Sequence, residues 1–185
     1  MKKKESDTNS GGQSLREYSP IQECINNIPY MLMILLGTVI FMVTFGTSTT
    51  SVAAAVVYLL YGIAGAIWIM IFVCPFCRYW DTRACPCGYG RLSSRFTKKS
   101  AVDCFEEKFK KHIPVIVPLW FIPLLAGVSV VISRFSILLV ALLVVFALDA
   151  FVILPLVSTK HGCKECPQKE SCPWIKAVPF RKTTV

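Results

Sequence analysis

Four long apolar runs, residues 28–46, 52–73, 113–132 and 135–157, alternate with polar, basic and cysteine-rich stretches. Each run holds roughly the 20 apolar residues that a helix needs to cross the hydrocarbon core of a bilayer. The pattern predicts an all-α polytopic membrane protein with four transmembrane helices. It divides the chain into a polar N-terminus with a short interfacial helix (1–27), helices one and two (28–73), a Cys-rich loop with a second interfacial helix (74–112), helices three and four (113–157) and a Cys-rich tail (158–185).

The short helices have readable starts. Ser19, followed by Pro20 and Gln22, forms a capping box with proline at the first helical position. Ile21, Cys24, Ile25 and Ile28 then recur on one face, which suits a membrane interface or the bundle, and Pro29 should end the run. Cys24 is expected to be a small buried apolar residue rather than a ligand. Residues 1–14, with three lysines and a glycine pair, read as disordered. A second box, Ser100 to Asp103, should open a helix that presents Val102, Phe105 and Phe109 on one side and leads into the third span.

Within the spans, three features break the uniform apolar pattern. Pro114 fits a helix start, whereas Pro118 and Pro123 deprive the carbonyls of Pro114 and Leu119 of their amide partners and should kink the third span. Gly62 and Ala66 offer a small-residue face for close helix packing. Asp149 places a carboxyl inside the fourth span, too far from Arg134 to be neutralised by it. Such a group is a candidate for proton uptake or for contact with a quinone headgroup. Its structural alternative is a protonated acid bonded to a serine or a backbone carbonyl within the bundle.

Charge then orients the bundle. Every lysine and arginine except Arg134 lies in the N-terminus, the loop or the tail, segments that an even number of crossings puts on one face. Basic residues are retained on the cytoplasmic side, so both termini are expected to be cytoplasmic. The formal net charge of +9 is accounted for by this orientation signal and by attraction to anionic headgroups. It forms no stripe with interleaved aromatics, so no nucleic-acid partner is expected.

The cysteines carry the sharpest chemical signal. Cys74 and Cys77 form a C-x2-C pair, Cys85 and Cys87 a C-x-C pair, and Cys163, Cys166 and Cys172 a C-x2-C-x5-C set in the tail. Close spacing lets two sulfurs turn toward one centre, the chelate geometry that tetrahedral metals and iron-sulfur clusters require. Pro75, Pro86, Pro167 and Pro173 each follow a cysteine, and Gly88, Gly90 and Gly162 permit tight turns. Loop and tail hold few aliphatic side chains and need a staple to fold. On a reducing face that staple is expected to be metal rather than disulfide. Cys74, Cys77, Cys85 and Cys87 would complete one four-ligand site. Cys163, Cys166 and Cys172 would complete another, with Cys104 or His161 as the fourth ligand. A partition crossing between loop and tail remains open, and His112 is expected at the headgroup boundary.

The expected cofactor is an iron-sulfur cluster (4Fe-4S) or Zn2+. Cys-Pro steps flank ligands in ferredoxin runs, and the tail triad resembles the cysteine triads of auxiliary clusters in some radical enzymes. Cys87-Gly88 is similar to the knuckles of structural zinc ribbons. The leading expectation is electron transfer between a cytoplasmic protein partner and a membrane quinone. A zinc-stapled scaffold or regulatory protein is the alternative. A thiol-disulfide oxidoreductase is a third reading, because Cys74-Pro75-Phe76-Cys77 resembles a glutaredoxin motif, although no βαβ pattern accompanies it. No nucleotide-binding or hydrolase signature is present.

Overall fold

The computed structural model describes residues 16–46, 48–163, 166, 168–169 and 172–174, with the side chains of 161–163 excepted. The disorder expected for 1–14 lies outside the described residues. Helices α1 (Pro20–Phe45), α2 (Thr49–Phe72), α3 (Tyr89–Ser93), α4 (Phe105–His112), α5 (Pro118–Ser133), α6 (Ile137–Leu148) and α7 (Leu154–Val157) follow in chain order. There is no strand among the described residues. Four stretches are long and apolar enough to cross a membrane: Pro20–Phe45, Thr49–Phe76, Val102–Ser133 and Ile137–Lys160. The chain is an all-α integral membrane protein.

The Ser19 capping box forms, with its side chain and that of Gln22 reciprocally bonded to backbone amides. Pro29 does not end the helix, however: α1 runs unbroken through it to Phe45. A bundle helix tolerates one missing amide bond when neighbouring side chains hold the remaining turns in place. The expected burial of Cys24 is also overturned. Cys24 is exposed, together with Ile21, Ile25 and Ile28, while Glu23 on the opposite side is buried. The polar side of α1 turns inward because loop carbonyls await its donors there.

The second expected capping box does not form either. Ser100 instead donates its amide to the Pro75 carbonyl at 2.9 Å, and the chain enters α4 through a 3-10 turn, Val102–Cys104, that has no side-chain cap. Phe105 is buried and packs beside Phe109.

The bundle core joins Met33 and Ile40 of α1, Tyr58 of α2, Leu119 of α5, and Leu139 and Phe146 of α6. In lipid these contacts stabilise through close packing rather than through release of water. Of the expected Gly62 and Ala66 pair, Gly62 is buried and Ala66 half-buried, and Gly65, Ala55 and Ser51 are buried on the same helix. A methyl on Gly62 would collide with Ile34, and one on Gly37 would strike the Tyr58 ring.

The third span opens irregularly around its first prolines, and α5 continues through Pro123. The stretch starts as a tight 3-10 turn, Ile113–Val115, and the amides of Leu119 and Trp120 reach back only to the Ile116 and Val117 carbonyls. The Val115 carbonyl, passed over by that shortening, accepts the Tyr61 hydroxyl. The fourth span departs from a plain helix. After Leu148 it widens into a π segment, Asp149–Ile153, just before Pro155, which has no amide to offer a regular ladder.

Candidate metal centre

Chain reversals built from proline and glycine shape the cysteine-bearing loop that follows α2. Cys74 and Pro75 open a 3-10 turn whose end is marked by a bond from the Cys77 amide to the Cys74 carbonyl at 3.0 Å. The Trp80 amide then returns to Cys77 at 3.1 Å. Gly88 has φ +71°, the left-handed conformation that L side chains resist, and it bends the chain from Cys87 into α3. Gly90 lies so close to the Tyr79 carbonyl that a Cβ would collide with it.

The Cys85 sulfur accepts the Gly90 amide at 3.3 Å. The nearby amides of Cys87, Gly88 and Tyr89 favour its charged form in the same way. Burial pushes the Cys85 thiol up, and these amides pull the other way.

The remaining thiols form one electrostatically connected group. Cys74 lies within reach of Cys77, Cys85 and Cys87. Burial pushes Cys77 up to about 12, opposed by the Tyr79 amide and reinforced by Cys85, Cys166 and Cys172. Cys87 is likewise pushed up to about 12, by burial first, then by Cys85 and Glu23. Burial raises Cys166 as well, while the Gln168 amide and the Tyr79 hydroxyl, both donating to its sulfur, moderate the rise. Without a cation these groups are neutral thiols. A bound metal ion would reverse that preference, because thiolate is the ligand form.

Cys77 is therefore where loop and tail meet. The Arg78 amide donates to Gln168 Oε1 at 2.9 Å, and Cys172, only 8% exposed, packs with Val73 and Phe105. Trp174 stacks on Trp120 of α5, with ring centroids 5.9 Å apart, and donates its Nε1 hydrogen to Ser158 Oγ at 3.2 Å.

Cys104 closes its 3-10 turn, half-buried, and is not among the groups that act most strongly on the other thiols. The side chains of Cys163 and His161 lie outside the described residues. His112 stacks on Phe72 at 4.9 Å and faces Trp68 at 5.8 Å. Among the described residues, no three His, Cys, Asp or Glu side chains form a group that could hold a metal ion in their present geometry.

The residues that support the thiols carry little signal in the sequence. Asn26 and Asn27 of α1 donate to the Pro86 and Cys87 carbonyls at 2.9 and 3.0 Å. The Tyr18 amide reaches the Arg83 carbonyl at 2.8 Å, and Glu23 pairs with Arg91 at 2.7 Å. The only hint was a polar set, Glu23, Asn26, Asn27 and Tyr30, at helical spacing in a mainly apolar run.

Asp149 lies elsewhere, within the bundle, 1% exposed, with neither carboxylate oxygen bonded. The serine or carbonyl partner expected in the structural alternative is therefore absent among the described residues. Local π turns of this kind often occur at functional positions.

No known protein family matches this sequence, and no curated protein or solved structure is recognisably similar to it.

Proposed function

We propose that this integral membrane protein carries electrons between a soluble partner on the cytoplasmic face and a quinone in the bilayer, using an iron-sulfur cluster held by loop and tail thiols. The observation that carries the reading is a set of buried thiols that act on one another, Cys74 with Cys77, Cys85 and Cys87, and Cys77 with Cys166 and Cys172, with the Gly90 amide donating to the Cys85 sulfur. Buried thiols that influence one another offer soft donors to a metal. A cluster would supply one-electron chemistry there. Aromatic residues such as Tyr79 and Trp174 would keep water from it.

Reducing a quinone takes up protons as well as electrons, and Asp149 is suited to supply them. It is a carboxyl within a membrane-spanning segment, its oxygens are unoccupied, and it sits at a locally widened helix. In this reading both termini, the loop and the tail face the cytoplasm, in keeping with the basic residues concentrated there.

The Cys85-Pro86-Cys87-Gly88 turn, with the Gly90 amide bonded to the Cys85 sulfur, also suits structural zinc, which would make the loop and tail a docking platform without catalysis. Thiol-disulfide exchange fits less well, since Cys74 is buried and burial holds Cys77 in its neutral form. Anaerobic purification followed by metal analysis and an optical spectrum tests the proposal. A brown protein absorbing near about 400 nm from thiolate-to-iron charge transfer supports it. Stoichiometric zinc in a colourless protein selects the scaffold, and a metal-free preparation that remains folded ends both.

A further inference from the structure

The stretch that follows α3 is pinned at both ends to the far end of α2. The Ser93 hydroxyl, fully buried, donates to the Met70 carbonyl at 2.6 Å, and the Ser100 amide donates to the Pro75 carbonyl at 2.9 Å. Both acceptors belong to the second membrane-spanning stretch, Thr49–Phe76. Since about 20 residues of a helix cross the hydrocarbon core, Met70 and Pro75 lie close to the boundary between acyl chains and headgroups. The segment between the two pins is held at that depth. It continues the winding of α3, because the Ser94 and Thr97 amides return to the Gly90 and Ser93 carbonyls at 3.2 and 2.9 Å. That winding sorts its side chains. Ser93 and Thr97 turn inward, where Thr97 Oγ1 accepts the Trp80 indole N–H at 3.2 Å.

The side chains left facing outward combine apolar and basic groups. Leu92 and Phe96, four residues apart, are 44% and 52% exposed. Arg95, Lys98 and Lys99 beside them are exposed as well, and they make no salt bridge among the described residues. The chain carries no acidic residue between Asp81 and Asp103, and Asp81 accepts the Ser94 hydroxyl at 2.6 Å. At a bilayer surface, apolar side chains of this kind enter the acyl boundary while long basic ones reach the phosphates. We propose that the 92–99 segment is a membrane anchor selective for acidic phospholipids, with Leu92 and Phe96 in the interface and Arg95, Lys98 and Lys99 on the headgroups. Lipid rather than a soluble acidic protein is the occupant, because the Met70 and Pro75 carbonyls fix the segment at the depth where lipid surrounds the span. Zwitterionic headgroups meet the apolar pair equally well but offer the three cations no net negative charge. The anchor works whether or not the thiols hold a metal.

The test is amide hydrogen exchange of the full chain in nanodiscs, read by mass spectrometry, with phosphatidylcholine alone or mixed with phosphatidylglycerol. Residues 92–99 should exchange at least about five-fold more slowly when phosphatidylglycerol is present, a factor that a single basic side chain beside an anionic surface supplies. Arg95→Gln, Lys98→Gln and Lys99→Gln together should erase that difference. These are exposed positions and the pins at Ser93 and Ser100 remain, so the fold is kept. Lys110→Gln with Lys111→Gln, on the separate helix α4, should leave the difference in place. Leu92→Ser with Phe96→Ser should speed exchange of the segment even in phosphatidylcholine. Equal exchange in the two bilayers, or an equal loss in the α4 variant, would overturn the proposal, the latter by showing only the diffuse field of a basic face. Unchanged exchange in the serine variant would overturn it as well. So would a soluble glutamate-rich peptide that protects the segment in phosphatidylcholine as strongly as phosphatidylglycerol does, because the surface would then belong to a soluble acidic partner.

Discussion

The Tyr58 hydroxyl donates to the Leu119 carbonyl at 2.9 Å, the carbonyl that Pro123 leaves without an amide partner. A side chain on α2 thus repairs a break in α5, and Gly37 of α1 makes room for the tyrosine ring. Tyr58→Phe should destabilise the bundle by about 1–3 kcal/mol, the cost of a buried acceptor left unsatisfied. In a Pro123→Ala background the restored amide can satisfy Leu119, so the same change should cost markedly less. A double-mutant cycle on unfolding in detergent measures that coupling, and additive effects would show that the two residues act separately.

The grip of α1 on the loop should govern metal retention. Asn26 and Asn27 hold the two carbonyls that flank the Cys87 turn, as supporting groups around a metal site hold its ligands in place. Replacing both with Ala should weaken metal affinity about 10–100-fold while leaving the bundle folded. Competition with a chelator, read alongside circular dichroism, checks this. Gly88→Ala should act in the same direction, because a methyl at φ +71° is strained and would meet a Glu23 oxygen at 2.7 Å.

The metal-free protein should have a characteristic response to alkali. Burial raises the Cys77 and Cys87 thiols from an ordinary 9.0 to about 12, so the folded state favours their protonated forms more than the unfolded state does. Their contribution to stability is complete below about pH 9. It is lost as pH rises through about 12, once the folded thiols ionise as well. Chemical unfolding of chelator-treated protein across that window should show stability falling with pH. A loaded protein already holds thiolates, so it should show less of this loss, and loading should release protons detectable with a pH indicator.

Asp149 should trade stability for function. With both oxygens buried and unbonded, its replacement by Val should raise the unfolding temperature, in line with about 1–3 kcal/mol for removing an unsatisfied polar group. Asp149→Asn keeps the shape but cannot exchange the acidic proton. It should abolish quinone-linked electron transfer without lowering metal content. Unchanged quinone reduction in the Asn variant would remove Asp149 from the proton path.

The sequence revealed the spans readily because length and apolar content alone satisfy a bilayer. It also revealed the Ser19 box and the carbonyl orphaned by Pro123, since both follow from local covalent geometry. What stayed hidden depended on contacts between distant segments. Pro29 read as a stop because the partners of Asn26 and Asn27 lie about sixty residues further on, as their hydrogen bonds show. The inward turn of Glu23, and with it the exposure of Cys24, followed from that same pairing. The widened turn at Asp149 had a local clue in Pro155, six residues onward in the sequence. The cysteine spacings pointed to loop and tail, but the meeting of the two at Cys77 could emerge only from the folded chain.

Because α1 passes through Pro29 without interruption, the rod that crosses the bilayer is also the rod whose amides clasp the sulfur turn. Membranes of different thickness tilt such a rod by different amounts. Its N-terminal end, carrying Asn26 and Asn27, would then shift relative to the loop, giving lipid composition mechanical leverage over the turn at Cys87.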